Sequence, residues 1–245
     1  MIDYSYANIL IEPKENNLYI DNADNIQKKL NKLNGVAGVA PHYITGATFS
    51  YKDEFISGVL YSIDPDEEET VTQVYAKLID GEYLSKADTD EILIGIDSAG
   101  IEDVESEERN LGGVKVGDKI DISYSNGVIK EYRVKGIFKT DDFLADMYVF
   151  VTEEEMESVL GLDDKASEIL VKLDQKGTEE QFRTKFIELG ISDDIKTWEE
   201  KSAGFVEEIL SSFILIILIS TIISLVIAVV IIFIVRLSEK YLKSA

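Results

Sequence analysis

The sequence of 245 residues has no cysteine, three prolines, one histidine and one tryptophan. The absence of cysteine excludes a disulfide framework, thiol chemistry and a thiolate-bound metal, and leaves the compartment open. With one histidine, a catalytic imidazole has a single candidate. That residue, His42, follows Pro41 in a strand-like stretch, and no GxSxG turn accompanies it. It reads as structural. The amino-terminal MIDYSYANILIEPKENN has neither a basic n-region nor an apolar h-region, so it is not a signal peptide.

Charge is missing altogether from Ile209 to Val235, 27 consecutive positions. At about 1.5 Å per residue such a helix reaches roughly 40 Å, against about 30 Å for the hydrocarbon core of a bilayer. Buried helices of soluble proteins seldom run so long without a charge, so Ile209 and Val235 mark the ends of a transmembrane helix. Basic residues are scarce before it. The tail after Val235 holds Arg236, Lys240 and Lys243 with one acid, Glu239. Removing these from totals of 47 acids and 24 bases leaves 46 and 21 for residues 1–208, a net of −25, against +2 in the tail. A head this acidic excludes nucleic acid as a partner and disfavours anionic lipid surfaces.

The head alternates strand-like and helix-like runs. NILIEP and LYI are short β-type runs. DNADNIQKKLNKLNG is a helix with Ile26, Leu30 and Leu33 on one face and Gly35 as its left-handed stop. VAGVAPHYITGATFSY and FISGVLYSID follow as strands, rich in β-branched and aromatic residues. The pattern recurs near the end of the head. ASEILVKLD is a strand, TEEQFRTKFIELG a helix opened by Thr178 and Gln181 in capping-box spacing and closed by Gly190, and ISDDIKTW a strand. Between the two lies a β-rich region in which Asn126–Gly127 joins two alternating runs as a hairpin. MYVFVTEEEMESVLG adds a strand and a short helix, and IEDVESEERN (101–110) reads as a solvated loop or helix. The fold class is therefore α+β. A split βαβ-type sandwich subdomain (1–75 and 166–200) holds an inserted, mostly β subdomain (76–165). One long transmembrane α-helix follows within 201–245, its core 209–235, with a short basic tail.

Motifs for chemistry are weak. GGVKVGDK has glycines five apart, but an acid and then a strand follow Gly117 where a phosphate loop needs Lys-Ser/Thr and a helix. It reads as a turn entering a hairpin. SIDPDEEET offers Asp64, Asp66 and Glu68 at calcium-loop spacing, yet Glu69 and Tyr75 stand where that loop needs a glycine and a bidentate glutamate. It reads, with DTDE and TDDFLAD, as solvated acids near turns. No nucleophile, base and orienting group come together, so the sequence reads as a non-enzyme with no catalytic residue, cofactor or metal. In the apolar helix, Ser220, Ser224 and Ala228 stand four apart beside Thr221 and form a small-residue ridge suited to close packing against another helix.

The positive-inside rule compares Arg236, Lys240 and Lys243 after the helix with Lys196 and Lys201 before it. Three against two places the tail in the cytoplasm and the head outside. Several segments then bear on the same question. In order they are LNGVAGVAPHYITGATFSY, VLYSIDP, LIDGEYLSKADTDEILIGIDSA, VKVGDKIDISYSNGVIKEYRVKGIFKTDDFLAD and TW before the apolar helix. This order, from Leu33 to Trp198, resembles the extracytoplasmic domain of ABC-transporter permeases of the MacB/LolC/FtsX-like superfamily. Those show a "GV..V.P" strand, a "GIDP"-like strand end, "G.yl" before "ilIG..lA", and a "vGD.i.i" hairpin leading to "y.V.Gif".

The resemblance implies a two-subdomain head outside the cytoplasm, with Ile209–Val235 corresponding to the family's second transmembrane helix. It also implies other transmembrane helices of the same or a second permease subunit, usually in a dimer, and a cytoplasmic ATPase whose energy reaches the head as movement. Relatives serve export, lipoprotein or lipid handling, or mechanotransmission. They carry a helix before the head and usually two after it, which this sequence does not show. The expectation is thus a longer or split permease, a truncated piece, or a head that is not exported. The alternatives from the residues are a tail-anchored cytoplasmic binding module and a single-pass surface domain acting without an ATPase.

Overall fold

The computed structural model describes residues 7–101, 110–140, 142 and 144–242; within the last helix the side chains of 205, 206, 208, 209 and 235–242 are not described. Residues 1–6, most of the 101–110 acidic run and two positions of TDDFLAD thus lie outside the described residues. In chain order the elements are β1 (Ile9–Glu12), β2 (Ile20–Asp21), α1 (Ala23–Leu30), β3 (Val36–Tyr51), β4 (Glu54–Ile63), α2 (Pro65–Val71), β5 (Leu78–Gly81), β6 (Glu91–Gly95), α3 (Ile96–Ala99), β7 (Lys119–Tyr124), β8 (Ile129–Phe138), β9 (Val149–Thr152), α4 (Glu153–Leu160), β10 (Lys165–Ala166), β11 (Glu168–Leu173), α5 (Glu179–Glu188), β12 (Asp194–Thr197) and α6 (Trp198–Leu242). They form two compact units, residues 1–198 and 199–245.

Within the first unit, four strands make an open antiparallel sheet in the order β12-β1-β11-β3. β1 and β3 are both antiparallel to β11, so the path β1–α1–β3 joins two parallel strands with β11 between them. The path β11–α5–β12 does the same around β1. Each half of the sheet is thus a split βαβ unit interlocked with the other. Side chains alternate between faces along each strand. Ile9, Ile11, Val39, Ile169 and Val171 pack with Ile26 and Leu30 of α1 and with Phe182 and Phe186 of α5. On the other face Leu10, Ala40 and Leu170 meet Val71 of α2.

β3 continues past this sheet into a second one. Its residues 43–51 pair with β4 and its residues 47–50 with β7. The pairings β4–β9, β9–β6, β6–β8 and β8–β7 then close a circuit of six strands, with β5 added to β8. The interior of this barrel is filled by Phe49, Leu60, Ile92, Ile94, Ile122, Tyr132 and Val149, among others. The β7–β8 hairpin turns where Asn126–Gly127 predicts it. Tyr124 N donates to Val128 O, and Gly127 takes φ +87°, a left-handed conformation that glycine adopts without steric cost. GGVKVGDK is likewise a turn entering β7.

Several expectations need correction. The cores divide within β3, near His42 and Tyr43, so Tyr43, Phe49, Ile56 and Leu60 belong to the barrel core and not to that of the sheet. α1 ends at Leu30 with Asn31 still right-handed. Gly35 therefore does not stop the helix; it sits at the entry to β3, where a Cβ would lie 2.7 Å from the Phe182 ring. The Thr178–Gln181 capping box does not form, since the Thr178 hydroxyl donates to Gln175 O at 2.8 Å. SIDPDEEET contains a helix, α2, with Asp64 at its N-cap accepting from Asp66 N and Pro65 in its first turn.

Because β3 belongs to both cores, damage to either one should be felt by the whole head. Phe49→Ala in the barrel and Phe186→Ala in the sheet should each cost about 3–5 kcal/mol. Urea unfolding of the chain in mild detergent, followed by near-ultraviolet circular dichroism, should show one transition for the head in each variant, shifted to lower urea.

Candidate functional site

The point where β3 passes from open sheet to barrel holds a buried ionic group. His42, 4% exposed, lies between two carboxylates. Its Nε2 is 2.6 Å from Glu68 Oε2 on α2, and its Nδ1 is 3.2 Å from Glu168 Oε1 at the start of β11. Glu68 is as buried as the histidine, and its other oxygen accepts from the Thr72 hydroxyl at 2.7 Å. An imidazole flanked by two acceptors satisfies both only by carrying both protons. Burial by itself would lower the His42 pKa. The Glu68 charge and the bonds to Glu168 and Glu68 outweigh it and raise the pKa to about 10. Burial would raise the Glu68 carboxyl, but the His42 charge and the bonds from His42 and Thr72 hold it below its ordinary value. His42 is bonded through both ring nitrogens, and Glu68 is not a solvated acid: it is the buried counter-charge.

The other acids of the SIDPDEEET run do not converge with it. Asp64 caps α2 and meets Lys86 at 2.6 Å, and Asp66 is exposed, 3.4 Å from the same lysine. Near α2, Glu153 at the start of α4 is pushed up to about 7 by burial and by Glu157, Glu67, Asp64 and Asp24.

The apolar helix is the second candidate. Leu210–Ile234, 25 residues of α6, is long and apolar enough to cross a membrane, and none of it is buried. Ser220, Ser224 and Ala228 lie in unbroken helix, so their spacing puts them on one exposed face. The Ser224 hydroxyl donates to Ser220 O and the Thr221 hydroxyl to Ile217 O, each at 2.8 Å. The ridge is therefore small in profile, with two hydroxyls already satisfied within the helix. Ile209, Val235, Arg236 and Lys240 are in the same helix, without described side chains, and Lys243 lies outside the described residues.

Sequence signals mark this second site directly, whereas for the first they mark only the histidine. Glu68 and Glu168 stand 26 and 126 residues from His42. The pattern Asp64–Pro65, an N-cap followed by proline, is the one local signal that would have placed Glu68 on a helix.

Proteins of this fold are found among solved structures. No family model matches the chain, and neither does any curated protein. The chain is similar to the extracellular domain of the noncanonic ABC-type transporter YknZ from Gram-positive bacteria, with a TM-score of 0.56 at 15% identity over 77% of this chain and 97% of that one. It is similar to the periplasmic region of MacB from Actinobacillus actinomycetemcomitans, with a TM-score of 0.58 at 11% identity over 82% and 92%. At these identities the likeness is one of fold.

The two shifted groups at the junction fix a pH dependence. His42, raised, contributes stability that is complete below its ordinary pKa of 6.5 and is lost as pH climbs through about 10. Glu68, lowered, contributes above its ordinary 4.5 and loses that contribution as pH falls. Glu153, raised to about 7, adds to the decline above 4.5. The head should thus be most stable between pH 4.5 and 6.5 and weaken on the alkaline side. His42→Gln should cost about 3–5 kcal/mol by leaving the buried Glu68 carboxylate without its counter-charge, and should flatten the alkaline slope of urea midpoints measured across pH.

Proposed function

We propose that this chain, whose head has the fold of the extracytoplasmic domains of ABC-type permeases, is the outer domain and one transmembrane helix of such a permease subunit. The observation that carries the reading is the likeness to YknZ and MacB over most of both chains. The exposed apolar stretch Leu210–Ile234 supports the membrane attachment. Arg236, Lys240 and Lys243 support a cytoplasmic tail and, with it, a head outside.

In this reading ATP is hydrolysed by a separate cytoplasmic subunit. The chain contributes no catalytic residue and passes movement through α6 to the head, in export, lipid or lipoprotein handling, or mechanotransmission. The divided head, with sheet and barrel as its two lobes, would be the part that moves. The Ser220–Ser224–Ala228 face would pack against a further helix of the same or a second permease subunit, since in lipid close van der Waals contact replaces the hydrophobic drive of water.

Two measurements test this. The absence of cysteine allows single-cysteine topology mapping in the native host. Asp66→Cys, at an exposed position, should react with a membrane-impermeant maleimide on intact cells, and Ser244→Cys should not. The reverse pattern would overturn the reading and leave a cytoplasmic binding module anchored by its tail. Ser224→Leu puts a bulky side chain on the ridge. It should release the chain from its complex in native membranes; an unchanged complex would sink the packing claim.

A further inference from the structure

Several links between the sheet and the barrel meet at one place. β3 is the strand common to both. On either side of the changeover, hydroxyls take the backbone donors that a regular ladder would pair. Tyr43 N donates to Ser62 Oγ and Ile44 N to Ser167 Oγ, each at 3.0 Å, while Ser167 N donates to His42 O at 2.7 Å. Here β3 exchanges β11 for β4 as its ladder partner between His42 and Tyr43.

Two side-chain clamps sit at the changeover. The Tyr19 and Tyr43 rings lie 5.3 Å apart with their hydroxyls 2.9 Å apart. His42 grips Glu168 of β11, which belongs to the sheet, and Glu68 of α2. The path to α2 matters. α2 follows β4, a barrel strand, yet packs Val71 on the open sheet. The His42–Glu68 contact therefore pins a segment arriving from the barrel onto the sheet, across the changeover.

We propose that the His42–Glu68–Glu168 group is a lock that holds sheet and barrel in one fixed mutual orientation, so that the head turns as a single body. The proposal rests on the reading above for its purpose, a movement passed from membrane to head, but its test does not. The lock faces Thr72 and Glu68 from α2, Glu168 from β11 and the edge of the Tyr61 ring from β4 at 5.9 Å. Tyr83 is a further titratable neighbour of Glu68, and Glu69 and Asp64 also face Tyr83. With both ring nitrogens engaged and Glu68 buried, the grip needs the imidazolium and the Glu68 carboxylate. It holds across the neutral range and opens in alkali, where the imidazolium is lost, or in acid, where Glu68 takes up a proton.

The experiment is a distance measurement by pulsed electron paramagnetic resonance on the full chain in detergent. Lys29→Cys on α1 and Asp53→Cys at the β3–β4 turn, both exposed, carry the spin labels. Near neutral pH the labelled wild-type background should give one narrow distance. His42→Gln should give a broadened or second distance while the near-ultraviolet circular dichroism persists. An unchanged narrow distance in folded His42→Gln would overturn the lock. If that variant does not fold, the decision passes to the wild-type background, titrated upward through about pH 10. Broadening there with the circular dichroism retained supports the lock, and a distance that stays narrow overturns it. Where His42→Gln does fold, alkaline broadening of equal size in that variant also overturns it, since lysines or tyrosines would then be the cause. Maleimide topology decides the permease reading separately, so the two can fail independently.

Discussion

One strand makes the head a single object. β3 is 16 residues long, and its residues 38–43 are buried in succession where its partners change. Its first half needs β11 as a partner and its second half needs β4 and β7. Cutting it would leave an open sheet with an unpaired edge and a barrel with a missing stave. Each core separately follows from ordinary burial, at about 1.5–3 kcal/mol for each large apolar side chain removed from water. Their coupling follows from the shared backbone and from the polar groups that gather where its partners change.

Those polar groups illustrate how a buried charge can be tolerated. Desolvation penalises His42 and Glu68 alike, and neither would stay ionised alone. Together, with Glu168 and Thr72 completing the hydrogen bonds, they hold each other charged. The barrel has a comparable arrangement, in which the buried Glu155 on α4 accepts from Lys130 at 2.7 Å and from the Tyr132 hydroxyl. In both places the partners come from different elements. Such groups specify which elements meet more than they add to stability, because an ill-fitting alternative would strand a charge.

What could be read from the sequence was what is local in it. The 27-residue uncharged run, the Asn126–Gly127 turn, the Gly190 stop after α5 and the recurrence of strand, helix and strand at both ends of the head depend on neighbours a few residues apart. The α+β class followed from them. The line of division did not. β3 and β4 read as part of the first subdomain because they follow α1 closely, whereas barrel closure is decided by β7 and β9, which lie far along the chain. The same distance hides the partners of His42. Runs of acids were read as solvated because most are; Asp146 of TDDFLAD is instead buried against Thr140, and Glu68 is buried against a histidine distant in sequence. The small-residue ridge on α6 was legible as a pattern, but a pattern names no partner.

The order in which the strands pair also bears on how the head comes into being. Every partner of the barrel circuit lies between residues 43 and 152, so that much can close once those residues exist. β1 is different: its two neighbours are β11 and β12, and Glu12 pairs with Asp194. A ribosome adds about 5–20 residues per second, so the first strand waits roughly ten seconds or more for its sheet. Through that interval NILIEP is an apolar segment without its sheet partners.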